Sequence, residues 1–303
     1  MNTQLPLKDY TVFIGDIASA LPAWLAEQDF TGLAVVCDTH TARHCRPLLT
    51  PLLQDRQPLW IELPAGEQHK QLATCHQVWD ALFAANANRK WCVFNLGGGV
   101  IGDMGGFCAG TYKRGIQFVQ IPTTLLSQVD ASVGGKLGID YGVIKNSVGL
   151  FRNPGAVFVD PAFLRTLPRE EVRSGYAEIL KHALIADAAQ WDALRQITDL
   201  TQVDWSRIIP ESVAIKKQIV EADPEEQLGY NEWWGWLASL ALIVLLWEWR
   251  VYFRRLTPQT PDDDDFMRTT AGRGGILSRL GRARDSVTPR GRPVRRSNRE
   301  RFQ

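Results

Sequence analysis

Trp91-Cys92-Val93-Phe94-Asn95-Leu96-Gly97-Gly98-Gly99-Val100-Ile101-Gly102-Asp103 is the stretch on which the fold turns. Trp91 to Leu96 is a short apolar run, the pattern of a strand buried on both faces of a parallel sheet. Three glycines end it, and Gly97, Gly99 and Gly102 fall at GxGxxG spacing. Glycines let a backbone approach a pyrophosphate. A helix after them offers free N–H groups and a positive dipole to the anion. A tight strand–helix turn without a ligand would use the same glycines. Here the helix is expected over Gly105 to Tyr112.

The neighbouring segments repeat the strand–helix alternation. Thr31 to Cys37 reads as a buried strand stopping at Asp38, and His40 to Leu53 as a helix. Leu59 to Leu63 alternates like a strand, Gln71 to Asn86 has apolar residues at helical spacing, and Ile116 to Ile121 is a strand ended by Pro122. This order predicts an α/β, Rossmann-like domain with a mostly parallel sheet over residues 1–160. Asp38 could hold a ribose hydroxyl. An acid placed before the glycines reverses the usual order, which points to a variant NAD-binding fold. After Pro161 the pattern turns helical, over Arg169 to Ala186 and Pro210 to Glu221, and predicts an incomplete all-α domain over residues 161–227.

Pro122 to Asn146 reads PTTLLSQVDASVGGKLGIDYGVIKN. Thr123, Thr124, Asp130, Lys136, Lys145 and Asn146 sit there among glycines. Such a segment can wrap a hydroxylated, phosphorylated ligand, since ammonium groups take phosphate or carboxylate. A solvated loop with incidental charges is the plainer alternative. His40 and His44 have HxxxH spacing, but no third spaced ligand accompanies them. His69 and His182 read as surface or packing residues.

Usage breaks near Gln227. Residues 1–227 carry a net charge of −5, and residues 228–303 carry +6 with 14 Arg and no Lys. All five Cys (Cys37, Cys45, Cys75, Cys92, Cys108) and all five His precede residue 183, whereas five of eleven Trp lie between Trp233 and Trp249. Scattered cysteines without CxxC pairs suit reduced thiols in the cytosol. The opening MNTQLPLKDY has no apolar core of a signal peptide. Residues 228–255, uncharged and mostly apolar from Trp233 to Trp247 and extended to Phe253 with Arg250 snorkelling, are a candidate transmembrane helix. The Arg-rich tail 256–303 is expected to be disordered. Arginines on its C-terminal side would put the tail in the cytoplasm and the first part outside. That conflict favours an accidental junction or gene fusion over an evolved membrane enzyme.

Five blocks give a sharper reading: PAGEQHK (64–70), GGGVIGD (97–103), PTTLLSQVDASVGGK (122–136), KN (145–146) and GYAEILK (175–181). In order and spacing they resemble the 3-dehydroquinate synthase family up to about Gln227. The resemblance implies an NAD domain, a helical metal-binding domain, and NAD plus a divalent metal (zinc or cobalt) as cofactors. It implies conversion of the shikimate-pathway sugar-acid phosphate DAHP into 3-dehydroquinate, with hydride taken and returned, phosphate eliminated and the ring closed. By the same resemblance Glu67, Lys70, the turn Gly99, Val100, Ile101, Gly102 and Asp103, Thr123, Thr124, and the FLRT segment Phe163, Leu164, Arg165 and Thr166 would face the cofactor. Asp130, Lys136, Lys145, Asn146 and Lys181 would line its junction with substrate. Lys216 and Glu226 fit the family pattern as further catalytic residues, and Arg114 would reach substrate across a homodimer interface. Glu178 would be the first metal ligand, although with Lys181 it could equally form a weak i,i+3 surface pair. The family's two later histidine ligands have no counterpart, because no His comes after His182. The metal site is therefore expected to be incomplete and activity impaired. The implied location is cytoplasmic with no nucleic-acid partner. A membrane-anchored, non-catalytic NAD-binding protein is the rival reading.

Overall fold

The Trp91 run forms the middle of a sheet, as its two-sided apolar pattern requires. The computed structural model describes residues 2–222. Glu226, the candidate membrane segment and the Arg-rich tail lie outside the described residues. Among the described residues no helix is long and apolar enough to cross a membrane.

In chain order the elements are β1 (Thr3–Pro6), β2 (Thr11–Ile14), α1 (Ile17–Ala26), β3 (Gly32–Asp38), α2 (Thr39–His44), α3 (Arg46–Leu53), β4 (Leu59–Leu63), α4 (Leu72–Ala84), β5 (Trp91–Gly97), α5 (Gly99–Thr111), β6 (Gln117–Pro122), β7 (Lys136–Tyr141), β8 (Ile144–Phe151), β9 (Ala156–Val159), α6 (Arg169–Ala186), α7 (Ala188–Leu194) and α8 (Trp205–Ala222). The main sheet has seven strands in the order β1-β2-β9-β6-β5-β3-β4. Only the β1–β2 edge pair is antiparallel. This is a Rossmann-like α/β fold.

Burial on β5 alternates between the two faces. Val93 joins Ile101, Met104 and Phe118 in one core, while Cys92, Phe94 and Leu96 join Leu21, Leu49 and Phe158 in the other. Each fully buried Phe stabilises the fold by about 1.5–3 kcal/mol. A third core joins β2 and β9 to the helices, through Val12, Val157, Ile179, Ile209 and Val213.

The chain runs from β3 out to β4, then returns to β5 on the other side of β3. In open α/β sheets such a reversal leaves a crevice at the carboxyl ends of the strands. Asp38 ends β3 and Gly97 ends β5, so both signal residues arrive at that crevice.

Several boundaries differ from the sequence reading. The helix expected over His40 to Leu53 is split at Cys45, where Pro47 removes a backbone donor. The helix after the glycines begins at Gly99 rather than Gly105, so the glycine run lies inside its first turns. α8 begins at Trp205 and keeps Pro210 inside, losing only the bond Pro210 would have made to the Ser206 carbonyl. The segment 122–146 is more than a wrapping loop. It holds a π-helical turn, Ser127–Ala131, and all of β7, which pairs with β8 as a separate hairpin.

Candidate cofactor and metal site

A cavity of about 860 Å³ opens at the crevice. Its lining includes Asp38, Glu67, Lys70, Gly99, Val100, Asp103, Thr123, Thr124, Phe163 and Thr166. The volume is in the range of pockets that hold small molecules and cofactors. Ile101 and Leu164 are instead buried in the core, Arg165 points away from this cavity, and Gly102 packs on Gln120.

α5 starts from Gly98 with no side-chain cap, so its first N–H groups have no side-chain partner. A Cβ on Gly98 would meet Thr124 Cγ2 at 2.8 Å, so internal packing explains that glycine. At Gly99 the nearest atom would be Ala131 Cβ at 3.8 Å. Packing does not demand a glycine there, and its absent side chain leaves the helix end open to the cavity. An uncapped helix N-terminus facing a cavity suits a pyrophosphate. Asp38 spends Oδ1 on a cap for α2, accepting from His40 N and Thr41 N at 2.8 Å each. Its other oxygen is the atom that could take a ribose hydroxyl.

Two charged clusters flank the helix end. In the first, Lys70 Nζ lies 2.6 Å from Asp103 Oδ2 and also bonds Asn146 Oδ1. Lys70 itself is buried. Burial, the largest influence, lifts the Asp103 carboxyl to about 6 even though Lys70 pulls it down. Asn146 sits at φ 50, and its N–H donates to Asp140 Oδ1 at 2.8 Å. A non-glycine residue held in the left-handed region stores strain, which tends to occur where a side chain is being aimed. Lys145 Nζ reaches Glu67 Oε1 at 3.2 Å across the cavity rim. Lys136 opens β7 and is exposed.

The second cluster joins α6, α8 and the π-turn. Lys216 Nζ lies 3.0 Å from Asp130 Oδ1, and Lys181 Nζ contacts Glu178 Oε1. His182, read from sequence as a surface or packing residue, is 1% exposed and faces this cluster with Nε2. That nitrogen lies 3.3 Å from Glu178 Oε1 and 3.9 Å from Asp130 Oδ1. Its Nδ1 is 2.8 Å from Ser212 Oγ. The i,i+4 spacing of Glu178 and His182 on one helix was the signal available in sequence. Asp130, 48 positions before Glu178, carried no such signal. In the Glu178–Lys181 pair the carboxylate is 15% exposed and the lysine 54% exposed. Burial would raise the Glu178 carboxyl, but His182 and Lys181 outweigh it and hold it at about 2. Glu178 Oε1 meets both partners at ion-pair range. The charge of Asp130 also reaches Asp103, so the two clusters adjoin.

Arg114 does not join either cluster within this chain. It is exposed in the turn Tyr112–Arg114 at the far end of α5, about 18 Å along the helix from Gly99 at 1.5 Å per residue. His40 and His44 line the cavity but belong to no metal-ligating group among the described residues, where the one such group is Asp130, Glu178 and His182.

A family model described as 3-dehydroquinate synthase N-terminal matches residues 60–174, and one described as 3-dehydroquinate synthase C-terminal matches residues 175–231. The chain is 48% identical over 235 residues to a 3-dehydroquinate synthase of Pseudomonas fluorescens, covering 75% of this chain and 63% of that protein. With the enzyme of Parabacteroides distasonis it shares 40% identity over 219 residues, 71% of this chain and 62% of that protein. The chain thus spans less than two thirds of these relatives. Among solved structures, a 2-epi-5-epi-valiolone synthase from Streptomyces hygroscopicus subsp. jinggangensis, with NAD+ and Zn2+ bound, superposes with a TM-score of 0.62 at 28% identity, over 73% of this chain and 64% of that one. A 2-deoxy-scyllo-inosose synthase shares the fold, with a TM-score of 0.61 at 21% identity, over 73% of this chain and 64% of that one. Because the two family models of one enzyme together match residues 60–231, more than half of the chain, the chain belongs to the 3-dehydroquinate synthase family.

Proposed function

We propose that residues 2–222 form the NAD-binding and part of the substrate-binding machinery of a 3-dehydroquinate synthase, acting on the sugar-acid phosphate DAHP with loss of phosphate. The carrying observation is the uncapped N-terminus of α5 at Gly99, open to a cavity and flanked by two lysine–carboxylate clusters. NAD, when bound, supplies the acceptor and donor of one hydride. The residues fit it: Gly99 admits a pyrophosphate to the helix end, Asp38 offers a carboxylate oxygen to a ribose, and Thr123 and Thr124 offer hydroxyls. Lys70 fixes Asp103 and Asn146 against each other. Lys136, Lys145, Lys181 and Lys216 supply ammonium groups for the phosphate and carboxylate of the substrate. The raised Asp103 carboxyl could hold or pass a proton near the cofactor end, and Asp130 would line the junction of cofactor and substrate. Arg114 would serve the site of a second copy in a homodimer, and the family's setting is the cytoplasm. With the two later histidines absent from the sequence, turnover is expected to be impaired.

Calorimetry of the full chain with NAD tests the cofactor reading, and phosphate release from DAHP with NAD and zinc tests the activity. Saturable heat with NAD supports the proposal. Folded protein that gives no heat at millimolar NAD sinks it.

A further inference from the structure

A 3-dehydroquinate synthase calls for a divalent ion, and this chain lacks two histidines the family would use. The described residues hold a different set of donors. Asp130, Glu178 and His182 each offer one ligand atom, and all three atoms lie within 4.8 Å of one another. Metal bonds of about 2.0–2.2 Å at tetrahedral angles separate neighbouring ligand atoms by about 3.3–3.6 Å. The 3.3 Å and 3.9 Å separations from His182 Nε2 to the two carboxylates are close to that spacing. A metal-bound histidine almost always donates its second N–H to an oxygen. Ser212 Oγ, on the buried face of α8, stands 2.8 Å from His182 Nδ1 and can receive that N–H once Nε2 gives up its own proton to bind an ion. Glu178 Oε1 is buried and turned toward His182 Nε2, with only the exposed Lys181 ammonium as its cation among the described residues.

We propose that Asp130, Glu178 and His182 form a three-ligand site for a borderline divalent ion of the zinc or cobalt class, using a nitrogen ligand other than the family's later histidines. One imidazole and two carboxylates favour such an ion over magnesium, which prefers an all-oxygen octahedron. Lys181 and Lys216 now contact the two carboxylates and compete with the cation. Lys181 is 54% exposed and can swing into solvent. Ser212 acts as a positioning residue through the imidazole. The proposal rests on the synthase reading for the purpose of the ion, but its geometry stands apart from NAD.

The test is cobalt titration of the full chain, freed of metal, read by visible ligand-field absorption. Bands that saturate at one equivalent, in a wild-type chain, are expected. Asp130→Asn and His182→Gln should each weaken cobalt binding at least tenfold. Ser212→Ala should weaken it roughly tenfold. His76→Ala, at an exposed histidine on α4, should leave it unchanged. Asp130 is partly exposed, so its variant stays informative if the buried His182 variant fails to fold. No bands from folded wild type, or bands that survive Asp130→Asn, overturn the proposal. NAD calorimetry on the same sample separates this outcome from failure of the synthase reading, since heat with NAD and no cobalt bands sinks the metal site alone.

Discussion

Gly175→Ala is a test of how α6 positions the second cluster. A Cβ at Gly175 would fall 2.5 Å from Leu125 Cβ and 2.6 Å from Leu126 N. Unstrained carbon contacts need about 3.5–4.0 Å, so α6 must retreat by about 1 Å. The Leu126 nitrogen is backbone leading into the π-turn, and it cannot rotate away as a side-chain tip would. Alanine favours a helix over glycine by about 0.5–1 kcal/mol, whereas overpacking a filled interior costs about 1–3 kcal/mol. The clash outweighs the propensity gain, giving a net loss of about 1–2 kcal/mol. His182, seven positions along the same helix, should move away from Asp130 by a comparable distance. Urea unfolding monitored by far-ultraviolet circular dichroism measures the stability. Ser174→Ala, exposed on the same helix, should be neutral or slightly stabilising and serves as the control. If Gly175→Ala unfolded at the same urea concentration as Ser174→Ala, the close approach of α6 to Leu125 and Leu126 would be wrong.

Asp103 makes stability depend on pH. Its carboxyl sits at about 6 in the fold against an ordinary 3.8. The folded state therefore binds the proton more tightly, and the resulting stabilisation is complete below pH 3.8 and lost as pH rises through about 6. The gap bounds the effect at about 3 kcal/mol. Wild type should therefore lose stability relative to Asp103→Asn between about pH 4 and pH 7, by up to about 3 kcal/mol; parallel urea midpoints across that range would refute it. Lys70→Met leaves Asp103 buried beside Asn146 without its cation, and should cost about 3–5 kcal/mol at about pH 8. The double variant with Asp103→Asn should recover about 1–3 kcal/mol of that loss, and strict additivity of the two changes would show that the pair does not couple.

The strands and the glycine turn are legible because their signals are local. β5 reads as buried on both faces from the run Trp91 to Leu96, and the glycines that end it can be placed without knowing what packs around them. The true start of α5 escapes the letters for an equally local reason. Glycine weakens a helix by about 1 kcal/mol, so several of them argue against helix where the tertiary fold in fact imposes one. β1, β2 and β9 are short and show no clear period. The β7–β8 hairpin is hidden by lysines and glycines that read as a loop, because β8 is exposed along nearly its whole length.

His182 shows the limit of spacing arguments more sharply. Sequence places it four residues after Glu178, but a helical i,i+4 pair becomes a site only when a third group arrives from elsewhere. That group is Asp130, and its arrival depends on the π-turn. The extra residue in a π-turn changes the angular register of the succeeding residues by about 100° relative to a continued α-helix. Ser132 Oγ ties back to Ser127 O across the turn, which fixes that register. No propensity scale announces such a turn from the letters SQVDA. Motif reading thus names Asp130 and Glu178 from their blocks but cannot join His182 to them, because the π-turn, the helix and the buried serine on α8 that bring the three together leave no pattern in the letters. The same argument explains why Gly175 matters: it lets α6 lie against the backbone of the π-turn. Where glycine allows two backbones within reach, side chains 48 positions apart come within one ion's reach, so the distance between those backbones decides, together with the identity of the ligands, whether they can share it.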